Sequence, residues 1–161
     1  MPDSLSITKP KQIFSSRILG KRAARIIAVQ CLYSIESDAA SNKSTDEKLD
    51  DIISVYENEL SDSKLSKADQ SYLIQLVRFA VDNSSELEDK ISTYLAKDWR
   101  IGRLPKVVAA ILRCASAELF LDKALDRRII INEYLEIAKL FSHEGETGFI
   151  NSVLDKIAAN I

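Results

Sequence analysis

The sequence predicts an all-α fold of about seven helices arranged in two packed helical bundles. Apolar residues recur at spacings of three and four along most of the chain, which is the period of one face of an α-helix. Capping pairs, in which an acidic residue follows a serine by three positions, precede several of these segments. The best strand candidate, Ile129-Ile130-Ile131, lies inside a longer helical pattern, so its β-branched composition does not outweigh that pattern.

The first predicted helix covers about Arg17 to Ser37. Its apolar residues fall on one stripe, formed by Ala24, Ile27, Ala28, Cys31, Leu32 and Ile35. The preceding residues, 1–16, contain two prolines and several serines and lysines without sustained periodicity. We therefore expect residues 1–16 to form a flexible basic arm.

Each of the next three predicted helices begins at a serine cap. The caps are Ser44 with Glu47, Ser66 with Asp69, and Ser85 with Glu88. The fifth helix follows Pro105, because proline suits a first helical turn and not a helix interior. Asp126 is the predicted cap of the sixth helix, and the last follows a glycine-bearing turn at 142–148.

The domain organisation follows from the 161-residue length, which suits one domain that buries about two-thirds of its unfolded surface. We expect a single domain over residues 17–161. Within it, an N-terminal subdomain covers about 17–82 and a C-terminal subdomain about 84–161.

Several classes of function leave no trace in the sequence. The four glycines form neither a dinucleotide fingerprint nor a phosphate loop, and no nucleophile has a companion base. Cys31 and Cys114 lie in apolar segments without metal-ligand spacing, which predicts buried reduced thiols. His143 is expected in an exposed turn. The sequence thus predicts a cytoplasmic protein that is not an enzyme, with no cofactor, no metal and no membrane association.

Charge is distributed unevenly along the chain. The net charge is −2, yet six cations and no acid lie between Lys9 and Arg25. Lys21, Arg22 and Arg25 occupy the first turns of the first helix, where the helix dipole disfavours cations. We infer that they need an outside anion, and the phosphates of RNA or DNA are favoured over a merely solvated face.

Other side chains admit two interpretations. For Trp99, beside Arg100 and Arg103, a core position between helices is favoured over a base-stacking role. Tyr33 is either a core aromatic or a surface ring, and its spacing does not decide. Buried ion pairs that fix helix register are favoured over RNA contacts for three charged residues inside apolar helices, Arg113, Glu118 and Glu133.

Three segments resemble the transcription antitermination factor NusB family, each in register with the predicted helices. They are 21–33 (KRAARIIAVQCLY), 110–119 (AILRCASAEL) and a C-terminal pair of runs, 131–139 (INEYLEIAK) and 148–156 (GFINSVLDK). The closing run, 149–156, is the most specific part. The resemblance spans about residues 17–160 and implies an all-helical fold of two packed bundles without catalysis.

The resemblance also implies a function and partners. Together with the ribosomal protein NusE, a NusB-like protein binds boxA-type single-stranded RNA and joins the transcription elongation complex during ribosomal RNA synthesis. The RNA-binding residues it implies are Arg17, Lys21, Arg22, Arg25 and Phe149. The partner-binding residues it implies are Tyr33 and Val108.

The sequence departs from the family pattern at Ala23, Gly145, Gly148 and the Val108-Ala109 pair, where family members often carry charged residues. Two alternative functions remain open. One is a protein-interaction module or homodimer without an RNA role. The other is the RNA-binding domain that precedes a methyltransferase.

Overall fold

The computed structural model describes residues 20–37, 42–59, 65–141 and 144–161. These residues form seven α-helices, one short 3-10 helix and no strand, so the all-α prediction is confirmed. The α-helices are α1 (Lys21–Ser37), α2 (Thr45–Glu59), α3 (Lys67–Asp82), α4 (Ser84–Thr93), α5 (Lys106–Leu121), α6 (Arg127–Phe141) and α7 (Glu144–Ala159). The 3-10 helix covers Ile101–Arg103. The predicted arm at 1–16, Arg17 and His143 lie outside the described residues.

Local signals place most helix starts correctly. Ser44 Oγ accepts a hydrogen bond from the Glu47 amide at 3.1 Å, and Ser66 Oγ accepts one from the Asp69 amide at 3.0 Å. Asp126 Oδ1 likewise accepts from the Arg128 amide at 2.8 Å. Each side chain satisfies an amide that the helix leaves without an internal partner, which is why these residues start helices.

Three predicted boundaries are wrong. The helix α1 starts at Lys21, four residues later than predicted, because Gly20 adopts a left-handed φ of 68°. The helix α4 starts at Ser84, directly after Asn83, so Ser85 is not its cap. The helix α7 starts at Glu144, before both glycines of the predicted turn, since glycine permits a turn without imposing one.

The centre of the fold is the pair α1 and α5. Every residue from Ala23 to Tyr33 in α1 and from Val108 to Leu119 in α5 is buried. The helix α5 packs against α1, α3, α4, α6 and α7, and one continuous hydrophobic core includes residues of all seven helices. The division into two subdomains near residue 83 stays a prediction.

The α4 to α5 connection contradicts the expectation for Trp99. Its side chain is 52% exposed, so it is not a core anchor. The connection is anchored instead by Leu95, Ile101 and Leu104, which are buried. Among the described residues, no helix has the length and hydrophobicity needed to cross a bilayer.

Candidate nucleic-acid interface

The start of α1 carries Lys21, Arg22 and Arg25 and no acidic residue in its first turn, as the sequence indicates. The structure supplies each cation with a carboxylate from a distant part of the chain. Lys21 Nζ lies 3.9 Å from Asp122 Oδ2, and Arg22 Nε donates to Glu133 Oε2 at 2.6 Å. The inference that these cations require an outside anion is therefore wrong, because the fold already supplies carboxylates.

Arg25 forms a bidentate ion pair with Glu118 in the core. Arg25 Nε and Nη2 donate to the Glu118 carboxylate at 2.9 and 2.7 Å. The hydroxyls of Tyr72 and Tyr134 each donate to the same carboxylate at 2.7 Å. Arg25 is only 3% exposed and Glu118 is fully buried. This confirms the predicted ion pair of Glu118 and argues against direct RNA contact by Arg25.

The protonation states of this network follow from its geometry. Burial lowers the pKa of Arg25, but the hydrogen bonds to Glu118 and the attraction of its charge leave that pKa above its ordinary value. Burial and the Glu118 carboxylate raise the pKa of the Tyr72 hydroxyl, and burial also raises the pKa of Tyr134. Arg25 therefore stays charged and both tyrosines stay neutral donors around one carboxylate.

Lys21 and Arg22 differ from Arg25 because they keep a large accessible surface. Their side chains are 47% and 39% exposed. Lys21 Nζ also lies 4.6 Å from the centroid of the Tyr72 ring, in cation–π range. The carboxylate partners of these two cations, Asp122 and Glu133, are only 16% and 22% exposed, but the accessible cations place both ion pairs nearer the surface class, worth about 0 to 1 kcal/mol, than the buried pair of Arg25.

Ion pairs also hold the two other charged residues singled out inside apolar helices. Arg113 Nη2 donates to Glu88 Oε1 at 2.7 Å, and Arg113 Nη1 lies 3.4 Å from Glu36 Oε2. Glu133 accepts from Arg22 as described above. Both predicted ion pairs are present, although Glu133 is only partly buried.

Phe149 lies at the surface of α7 with 37% of its area exposed. The adjacent Gly148 is exposed, and apart from neighbouring residues and backbone of the same helix, no atom lies within 4 Å of the position where a Cβ would stand at either Gly145 or Gly148. Packing therefore does not require glycine at these two positions, and they leave the surface near Phe149 open. The helix α7 packs against α6, whose Glu133 holds Arg22.

The two predicted partner-binding residues are buried. Val108 is 1% exposed, and Tyr33 is also buried, with 8% of its surface exposed. The burial of Val108 argues against a direct partner contact, because a core side chain offers no surface to another protein. The apolar residue at this position completes the packing of α5.

Sequence reasoning missed the roles of Tyr72, Tyr134 and Asp122. The Tyr72 hydroxyl oxygen also lies 3.1 Å from Asp122 Oδ2, so its one proton is shared unequally between the buried Glu118 and the carboxylate beside Lys21. One signal was present, because a tyrosine in an apolar stripe needs a partner for its hydroxyl. The identity of that partner is set by packing between helices and has no local sequence signature.

Neither cysteine belongs to an exposed reactive site. Cys31 and Cys114 are free thiols in the core, as predicted, and Cys114 Sγ lies 3.2 Å from the Tyr134 hydroxyl oxygen. In the part of the chain that the structure describes, no three side chains of the metal-binding types cluster closely enough to hold an ion.

Comparison with known proteins identifies the family. Residues 22–159 match the NusB family, which is most of the chain. The chain belongs to the NusB family. It is 34% identical over 143 residues to the transcription antitermination protein NusB of Caulobacter vibrioides, a match that covers 89% of this chain and 95% of that protein.

Solved NusB structures share the fold. NusB of T. maritima superposes with a TM-score of 0.75 at 29% identity, over 86% of this chain and 90% of that one. A NusB solved with NusE and double-stranded RNA superposes with a TM-score of 0.73 over 87% of this chain and 96% of that one. At 24% identity, this second likeness shows a common fold.

Proposed function

We propose that this protein is an RNA-binding transcription antitermination factor, which binds boxA-type RNA together with NusE and supports ribosomal RNA transcription in the cytoplasm. Family membership across residues 22–159 carries the proposal, because the matched relative is a transcription antitermination protein. A NusB solved together with NusE and RNA supports the choice of partners. We assign the protein no catalytic role.

Phosphates are held at the start of α1. Lys21 and Arg22 exchange their carboxylate partners, Asp122 and Glu133, for the phosphates of a bound strand. Because each cation keeps an anionic partner throughout, this exchange costs less free energy than breaking a buried ion pair. Arg17 precedes this turn in sequence and is assigned a further phosphate contact. Arg25 acts from the core, where it fixes α1 through Glu118.

Bases are read near Phe149, where an unstacked base lies against the exposed ring. NusE extends the RNA-binding surface and links it to RNA polymerase. Tyr33 and Val108 support the surface that NusE contacts from beneath, since both lie in the core. A homodimer that covers Arg22 would be an RNA-free form of the protein.

The α1 assignment is tested with Lys21→Ala/Arg22→Ala in gel-shift titrations of boxA-type RNA, with and without NusE. With three to five phosphates neutralised, log K against log salt has a slope of about −2 to −4, and losing two contacts reduces its magnitude by about 1.4. Arg25 is left unchanged, because its removal would strand Glu118 in the core.

The matched control is Lys43→Ala/Arg78→Ala, which removes one lysine and one arginine that pair with Asp51 and Asp46 at the surface. We expect this control to keep the wild-type slope. Equal affinities and slopes for the two double variants would remove the start of α1 from the interface.

The Phe149 assignment predicts a loss of sequence discrimination. Phe149→Ala removes the ring, so the affinity for boxA-type RNA is expected to fall by about 5-fold to 100-fold, which corresponds to the loss of one stacked base. Binding to unrelated single strands falls much less, because phosphate contacts dominate it. Competition titrations measure both, and an equal loss on every RNA would contradict a base-reading role.

A further inference from the structure

The connection between α4 and α5 and the first residue of α5 carry a second group of exposed cations, close in sequence to an exposed aromatic residue. Trp99 is 52% exposed and is the only tryptophan in the chain. Cations recur at every third position around it. We call Lys97, Trp99, Arg100, Arg103 and Lys106 the Trp99 patch; all five residues are exposed.

The backbone under the patch is fixed by the fold. The Trp99 amide donates to the Ala96 carbonyl at 2.8 Å, and the Arg103 amide donates to the Arg100 carbonyl at 2.9 Å. Ile101 and Leu104 are buried between these residues and hold the connection against the core. The exposure of Trp99 is therefore set by an anchored turn, and the ring stays at the surface because the apolar anchors lie elsewhere.

The patch differs electrostatically from the start of α1. Lys21, Arg22 and Arg25 each have a carboxylate of the chain, whereas the four cations of the patch form no ion pair with any described residue. Asp98 is the one acidic residue within 97–106. The segment therefore carries four cations against one acid, and none of the four lies within 4 Å of a carboxylate of the described residues.

We propose that the Trp99 patch is a second contact site for single-stranded RNA, in which one base stacks on the Trp99 indole and adjacent phosphates contact Arg100 and Arg103. Sequence-tolerant single-strand sites combine these two elements, an aromatic platform and a basic track. An acidic protein segment would pair with the cations but would not contact the indole ring. An apolar partner would contact the ring but would bury the cations without counter-charges. The proposal rests on the proposed RNA-binding function and adds a site to it.

Intrinsic tryptophan emission tests the proposal directly, because the single tryptophan reports on this patch alone. The probe is an oligoadenylate of about 12 nucleotides, titrated into the full chain at low salt. We expect saturable quenching that weakens as salt rises. Arg100→Ala/Arg103→Ala is expected to weaken the quenching titration about threefold to tenfold. Lys43→Ala/Arg78→Ala, the control for lost charge, is expected to leave it unchanged.

A second variant separates this site from the start of α1. Trp99→Ala is expected to fold normally, because the side chain is largely exposed, and to weaken gel-shift binding of the oligoadenylate about fivefold. In Lys21→Ala/Arg22→Ala, quenching by the oligoadenylate is expected to persist, since the patch is intact.

Each contrary result has one meaning. Gel-shift binding without any change in emission would overturn the Trp99 patch and leave the proposed function intact. Absence of RNA binding in both measurements would overturn the two together. An emission change with NusE alone, with none on adding RNA, would identify a protein-docking surface and overturn the RNA assignment.

Discussion

Three cations within five positions of α1 have different physical roles, and accessibility separates them. Lys21 and Arg22 lie at the surface beside carboxylates that they can leave, whereas Arg25 is held by Glu118 in the core. A surface ion pair is weak and exchangeable, while a buried one is costly to break. The same side-chain chemistry is therefore accessible for the proposed RNA contact at two positions and serves helix placement at the third.

The exchange of carboxylate for phosphate predicts that the chain's own acids compete with RNA. In Glu133→Gln, Arg22 loses its charged partner, so the affinity for boxA-type RNA is expected to rise about twofold to fivefold, equivalent to one exposed ion pair. Equilibrium titration at several salt concentrations measures the gain, which shrinks as salt increases.

Asp46→Asn provides the control for Glu133→Gln. It also removes one negative charge, but from a different surface ion pair, that of Asp46 with Arg78. A comparable rise in both variants would show that net charge alone strengthens binding. In that case, Glu133 would not act as a competitor for Arg22.

Residue-scale roles were only partly predictable from the sequence. The ion-pairing of Glu118 could be anticipated, because a lone acid in an apolar helix needs a buried partner. Its partner, 93 positions away, could not, and neither could that of Arg22, which is 111 positions away. The exposure of Trp99 was also missed, because aromatic residues are usually buried and the anchoring by Ile101 and Leu104 has no local signature.

At the scale of helices, α1 and α5 are buried around most of their circumference, which an amphipathic stripe does not reveal. The spacing of apolar residues predicted every helix, since the period of 3.6 residues is a local property. It assigned α1 one buried face, although residues off that stripe, such as Ala23 and Ile26, are buried as well. The start of α4 at Ser84 was not predicted, because the side chain of the preceding Asn83 makes no capping hydrogen bond.

The contact between these helices predicts a strong dependence of stability on Glu118. In Glu118→Ala, Arg25 stays buried without its carboxylate, so the free energy of unfolding is expected to fall by about 3 to 5 kcal/mol. Denaturation in urea measures the change. The double variant Arg25→Met/Glu118→Leu is expected to recover part of the loss, because it removes both charges but also takes the acceptor from the Tyr72 and Tyr134 hydroxyls.

Glu88→Ala serves as the comparison, since it removes a half-exposed partner from Arg113. Its cost is expected to stay within about 1 kcal/mol. Equal destabilisation by the two alanine variants would show that burial does not set the strength of these ion pairs.

At the scale of the whole molecule, one core joins all seven helices and encloses several groups that resist ionisation. Burial raises the pKa of the Cys31 thiol to about 12, and burial raises the pKa of Cys114 as well. The all-α class and the buried thiols were predictable from composition and periodicity. The way in which α5 packs against five neighbours depends on side-chain shape, which those patterns do not encode.

These pKa values predict alkaline destabilisation. The folded chain keeps the Cys31 proton up to about pH 12, whereas an exposed thiol loses it near pH 9. The folded state thus binds more protons in this interval, so its stability is full below about pH 9 and falls as pH rises. Urea denaturation at increasing pH measures the decline, at most about 1.4 kcal/mol per pH unit for each group.

Cys31→Ala is expected to give a shallower decline than the wild type over the same pH interval. Part of the decline remains, because Cys114, Tyr72 and Tyr134 also have raised pKa values. A decline of identical steepness in both proteins would show that the Cys31 thiol does not contribute.

The two ion pairs between α1 and α5 encode a direction. Near its beginning α1 offers a cation to Glu118, late in α5, and near its end α1 offers Glu36 to Arg113, earlier in α5. This order fits helices that run in opposite senses. Aligning them the other way would bring like charges together, so that mispaired chains would suffer repulsion where the native chain has attraction. The sign pattern thus favours the antiparallel arrangement of α1 and α5.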